Sequence, residues 1–186
     1  MKQNRGFTVI ELLVAVAIMG ILMGVAAPSL RDLLMNATIT SQANDLLSAF
    51  AVARSEAIKR GVRTGVCTST NGTSCTNSEW HQGWIVFTDT DANGAVDAGS
   101  TAIKGQMATD GQNTLTSVGH GTNGAGGRFI GYSPVGTLAG TLASVTFTLC
   151  DSRTTANVGA AAATLKGRTI SVSTTGRPRV QRLTCA

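Results

Sequence analysis

Charged and aromatic side chains are scarce in this chain. Of its 186 residues, 13% are Asp, Glu, Lys or Arg and 4% are aromatic; the charged share is about half the usual quarter. A disordered acidic or basic tail is excluded, because such segments are charge-rich and poor in aliphatics, whereas 42% of this chain is apolar. Only one long apolar run exists, which excludes a multi-span membrane protein. No CxxC pair occurs among Cys67, Cys75, Cys150 and Cys185, so the close ligand pairs of a zinc site are missing. No catalytic triad, paired-carboxylate site or Walker lysine stands out, and His81 and His120 sit in no recognisable acid–base motif. Gly119, Gly121 and Gly124 formally fit GxGxxG, but no helix is expected after them, as a dinucleotide site requires. The sequence therefore implies no enzyme, no cofactor and no metal.

What is present is glycine, at 22 residues, and a net charge of +5, which suits an anionic partner. Four cysteines read as two disulfides if the chain is exported. Three connectivities are possible; the favoured pairing is Cys67–Cys75, a short loop, with Cys150–Cys185 tying down the C-terminus.

Export is signalled at the start. MKQNRG carries Lys2 and Arg5, and the next 21 residues, 7–27, contain one charge, Glu11. As a helix they span roughly 30 Å, one bilayer core, with the N-terminus on the cytoplasmic side. A cleaved secretory signal would be shorter, although Ala26 and Ala27 imitate its cleavage site. A plain anchor leaves Glu11 unexplained, since a carboxylate in lipid costs a few kcal/mol and calls for a partner.

Gly6-Phe7-Thr8-Val9-Ile10-Glu11-Leu12-Leu13 resembles the class III signal of type IV pilins and type II secretion pseudopilins. The resemblance implies cleavage by a prepilin peptidase after Gly6 and methylation of Phe7. It also implies pairing of Glu11 with the N-terminal amine of a neighbouring subunit. Pro28 matches the proline that kinks the family's helix just past the membrane. The expected location is a single-pass inner-membrane protein with a periplasmic domain, later at the cell surface in the pilus.

Leu30, Leu33, Leu34 and Ala37, then Leu46, Leu47, Phe50, Ala53, Ala57 and Ile58, keep helical spacing. One helix of about 50 residues, bent near Pro28, is predicted to end at Arg60, with Gly61 as its stop and its apolar stripe in the core. Strands are predicted at 62–67, 83–88, 101–107, 114–118, 128–132, 144–150, 168–173 and 179–183, with loops at 119–127 and 154–163. The organisation is a leader at 1–6, an assembly helix at 7–27, an amphipathic helix at 28–61 and a β-rich domain at 62–186. This layout, with Gly83-Trp84-Ile85-Val86-Phe87-Thr88-Asp89, resembles the GspH/FimT branch of the pilin family. It implies an α+β, type IV pilin-like fold: a long N-terminal helix packed on two sheets.

Asp89, Asp91, Asn93, Gly94 and Asp97 resemble the start of a calcium loop, but Ser100 stands where the bidentate Glu belongs. A turn closed by its own Asx side chains is the expected structure. Residues 128–186 hold seven basic side chains and one acid, Asp151. Within them Gly176-Arg177-Pro178-Arg179 resembles the GRxR motif of FimT-type minor pilins, which bind DNA for natural transformation. Two guanidiniums two residues apart reach neighbouring phosphates, and Arg182, Lys166 and Arg168 are expected to widen the patch. No aromatic residue lies nearby in sequence, so contact is expected with the phosphate backbone and little sequence preference. The expected partners are DNA, other pilin subunits, the peptidase and the inner membrane. The rival readings are a structural type II secretion pseudopilin and a pilus-priming minor pilin without DNA binding.

Overall fold

A computed structural model of the chain describes residues 8–97, 102–108, 113–122, 127–140, 142–151 and 166–185. The expected loop at 154–163, and Gly6 and Phe7, lie outside the described residues. The chain divides into two compact units, Met1–Thr38 and Ile39–Ala186.

Helix α1, Val9–Arg60, contributes to both units. Thr8 caps it: its hydroxyl accepts the Glu11 backbone N–H at 3.3 Å, which satisfies one of the orphan donors of a first turn. In the first unit the apolar side chains are solvent-facing, Leu12, Leu13, Val16, Leu30, Leu33 and Leu34 among them. The stripe expected in the core therefore starts later than its spacing suggested. Helical period marks a face but not what covers it. Among the described residues no single helix is long and apolar enough to cross a membrane; Val9–Gly24 and Ser29–Arg60 pass together as a bent pair. The break spans residues 25–28, which end in the proline that the sequence places there, a residue without a helical N–H donor.

In the second unit Ile39, Ala43, Leu46, Ala49, Phe50, Ala53 and Ala57 are buried. They recur every three or four residues, one face of a helix. Ile58, expected on that stripe, is exposed. The helix ends with Lys59 and Arg60 around Glu56 (3.8 and 2.5 Å), and Gly61 closes it.

Among the described residues nine strands follow: β1 Thr64–Thr68, β2 Gly83–Thr88, β3 Lys104–Met107, β4 Thr114–Val118, β5 Gly121–Thr122, β6 Arg128–Tyr132, β7 Ser144–Cys150, β8 Lys166–Ser173 and β9 Pro178–Thr184. They form two antiparallel sheets, β3-β2-β1-β6-β5 and β4-β7-β8-β9. Strands β2, β4, β6 and β7 have the expected bounds. The loop expected at 119–127 contains β5, paired to β6 through Gly121–Phe129; two residues are too short for an alternation signal. A 3-10 turn, Trp80–Gln82, leads directly into β2. Its Trp80 packs edge-on to Phe147 at 5.0 Å and donates to Ser117 Oγ at 2.8 Å.

One core joins the helix face to Val66, Val86 and Ile130 of the first sheet and to Phe147, Ile170 and Val172 of the second. A smaller cluster, with Cys67, Ile85, Phe87 and Phe129, covers the other face of the first sheet. That is why all five residues of β1 are buried. Edge strand β9 has no second layer, and most of it is exposed.

Candidate nucleic-acid interface

The basic motif occupies the hairpin between β8 and β9. Ser173 O accepts the Gly176 N–H at 2.8 Å, and Ser173 N–H donates to Arg177 O at 3.2 Å. The Ser173–Gly176 turn needs a left-handed residue at its end, and Gly176 supplies it with φ +73°. A second constraint is space. A Cβ on Gly176 would lie 2.2 Å from Gly136 O and 2.9 Å from Tyr132 Cε1. The hairpin tip is thus seated on the 133–138 turn. Leu138 N–H donates to Thr174 O at 3.0 Å, and Arg54 from α1 donates to Gly136 O at 2.9 Å. Glycine in this motif anchors the turn, and the exposed arginines beside it carry the charge.

Register separates those charges. Ser173–Arg177, Ser171–Arg179 and Thr169–Gln181 stand opposite one another, as do Ile170–Val180 and Arg168–Arg182. Side chains alternate along a strand, and Ile170 and Val172 point into the core. Arg182 and Arg168 therefore share the inward-facing side of the hairpin, while Arg177 and Arg179 share the outward one. Arg168 is tied down, donating to Thr40 Oγ1 on α1 at 3.1 Å. Arg177, Arg179 and Arg182 are exposed, and none has an ion-pair partner among the described residues. Lys166 stands opposite Thr184 at the far end of the hairpin from Gly176. The single five-cation patch expected from the sequence is split by the pleat, with Arg177 and Arg179 as the pair brought together. Arg128 leaves the basic group altogether: it bonds Glu79 at 2.5 Å and Ser78 O at 2.6 Å. Pro178 stands opposite Val172 in a non-hydrogen-bonded pair, so its missing N–H costs the ladder nothing.

Both disulfides form as favoured, Cys67–Cys75 and Cys150–Cys185. The second joins the end of β7 to the residue after β9, passing over Gly167 of β8, where a Cβ would come 2.4 Å from Cys185 Sγ and 3.0 Å from Leu149 O. It locks the end of the sheet opposite the basic turn.

Asp89, Asp91 and Asp97 place carboxylate oxygens within 4.8 Å of one another, the one described group suited to a cation. Each is already used. Asp89 is buried, accepts the Gly94 N–H at 3.2 Å, and pairs with Arg63 at 3.0 Å. Asp91 accepts from Asn93, and Asp97 accepts the Thr90 N–H at 2.8 Å as well as its hydroxyl. Burial pushes the Asp89 carboxyl above its ordinary range, and the Thr90 bonds hold that of Asp97 below it. This is a turn closed by its own side chains, as expected.

Residues 42–176 match the family described as type II transport protein GspH, and residues 1–27 match the prokaryotic N-terminal methylation motif. The first match stops at Gly176, so Arg177 and Arg179 lie beyond it. Two crystal structures of the type IV minor pilin FimU of Pseudomonas aeruginosa share the fold. One aligns with TM-score 0.54 at 18% identity, over 78% of this chain and 89% of that one; the other with 0.51 at 19%, over 76% and 91%. The minor pseudopilin EpsH of the Vibrio cholerae type 2 secretion system aligns with TM-score 0.48 at 11%, over 77% and 96%. No curated protein sequence matches significantly.

Proposed function

The chain belongs to the GspH family and carries the N-terminal methylation motif of exported filament subunits, and from that footing we propose that it is a minor type IV pilin that captures extracellular DNA for uptake in natural transformation. The observation that carries this reading is the outward-facing pair Arg177 and Arg179, held on a turn that Gly176 seats against Gly136. A pre-set turn limits the entropy lost on binding, and guanidiniums fork onto phosphate oxygens. Arg182 and Arg168 on the other side of the hairpin, and Lys166 at its far end, add long-range attraction. Contact is to the backbone, with little sequence preference. A prepilin peptidase cuts after Gly6 in the inner membrane and Phe7 is methylated. Glu11 then meets the amine of a neighbouring subunit as the protein leaves the inner membrane for the pilus.

Mobility shifts with the detergent-solubilised full chain test the proposal. Two phosphate contacts give a log–log salt slope of about −1.8. Arg177→Gln or Arg179→Gln flattens it by roughly 0.9 on every sequence tested, and Arg31→Gln in the first unit leaves it unchanged. Unaltered affinity and slope in the Arg177→Gln/Arg179→Gln double variant refute the site. A structural pseudopilin of a type II secretion machine, favoured by the family's own description, then becomes the reading.

A further inference from the structure

The chain has two tryptophans, and both line one small cleft in the globular unit, together with Asp45 of α1, His81, and Gln106 and Met107 of β3. The cleft holds about 30 Å³, room for roughly two water-sized spheres. That admits the tip of a side chain and no larger ligand. Its polar groups are not equivalent. The Trp80 N–H is spent on Ser117, and the Gln42 side-chain oxygen accepts from Asn113 Nδ2 at 2.8 Å. Asp45 is half-buried, and no hydrogen bond or ion pair engages it among the described residues. The cleft thus offers an unspent carboxylate beside indole rings. A partly desolvated carboxylate calls for a charged donor.

We propose that this cleft receives an arginine side chain from another filament subunit, with the guanidinium forking onto the Asp45 carboxylate at a mouth bordered by the two buried tryptophans. Arginine fits better than lysine. Its head is flat, is weakly hydrated, and matches a carboxylate with two donors. Charge complementarity selects this occupant. The site is a protein–protein socket, independent of DNA and on different elements from the basic hairpin.

Both reporters sit in the cleft, so the test reads the site alone. The detergent-solubilised full chain is titrated with N-acetyl-arginine amide. Tryptophan emission and the two indole N–H resonances are followed. A saturable change is expected. N-acetyl-citrulline amide, similar in shape but uncharged, binds about tenfold more weakly or worse, because a charge-assisted bond is lost. Asp45→Asn weakens arginine binding by a similar factor, and Arg177→Gln/Arg179→Gln leaves it unchanged. The proposal is overturned if arginine gives no saturable response in the unmodified protein, or if citrulline binds equally well. Undiminished binding to a folded Asp45→Asn variant also overturns it.

Discussion

Replacing Gly176 by Ala tests whether the basic turn is held by backbone geometry or by its charges. The residue sits at φ +73°, a region that costs an L-residue with a Cβ about 1–2 kcal/mol. The new Cβ would also lie 2.2 Å from Gly136 O, roughly 1 Å inside ordinary contact. The hairpin tip must therefore lift, which stretches the 3.0 Å Leu138–Thr174 bond, worth about 1 kcal/mol. Stiffening of the unfolded chain returns about 0.4–1 kcal/mol. The expected net loss is roughly 1–2.5 kcal/mol. Urea denaturation of the detergent-solubilised full chain measures it. Trp80 and Trp84 are buried in the globular unit, so emission reports that unit and not the apolar helix. Gly176→Asn separates the two causes, because Asn tolerates the left-handed region but keeps the overlap; it should recover the strain share and retain about 1 kcal/mol of the loss. DNA affinity should fall in both variants although no charge has been removed. A Gly176→Ala protein within about 0.5 kcal/mol of the unmodified chain, below the strain cost alone, would refute the argument.

The Cys150–Cys185 bond closes a loop with sequence separation 35, so Cys150→Ser/Cys185→Ser should cost roughly 2–4 kcal/mol in the chain-entropy account; non-reducing peptide maps and denaturation curves check the pairing and the cost. Asp97→Asn should lower the melting temperature at neutral pH. Its folded pKa is depressed, so its contribution is present above the ordinary carboxylate pKa and vanishes as pH falls through the depressed value. Asp89 has the opposite sign: its folded pKa is raised by burial. The deficit of Asp89→Asn should therefore shrink as pH rises from the ordinary carboxylate value through the raised one. Melts of both variants across that window read the two trends, and parallel trends would contradict them.

Much of the protein was legible from local chemistry. The Gly6–Glu11 motif, the apolar run and Pro28 are contiguous, so they name the family without a fold. Strands β2, β4, β6 and β7 carry their β-branched and aromatic residues between turn formers, and the period-two burial of β4 and β7 needs no distant partner to be seen. The Asp89–Asp97 turn closes on its own side chains for the same reason. Other features depend on what lies across space. Leu30, Leu33 and Leu34 have the same spacing as Leu46 and Phe50, yet only the latter are buried; periodicity carries no information about the covering layer. The five cations near the C-terminus looked like one patch because sequence distance ignores the pleat. Cross-strand register sends Arg177 and Arg179 one way and Arg182 the other, and a contact with Thr40, 128 residues away, restrains Arg168. Gly176 was readable as a turn former, but its need for bare space comes from Gly136 and Tyr132, which only folding brings beside it. The Asp45 cleft joins a helix, a 3-10 turn and strands of both sheets. The sequence by itself determined the family and its α+β, pilin-like class. Tertiary structure decided which of its charges act together, because side-chain direction is set by pairing partners that the chain reaches only in three dimensions.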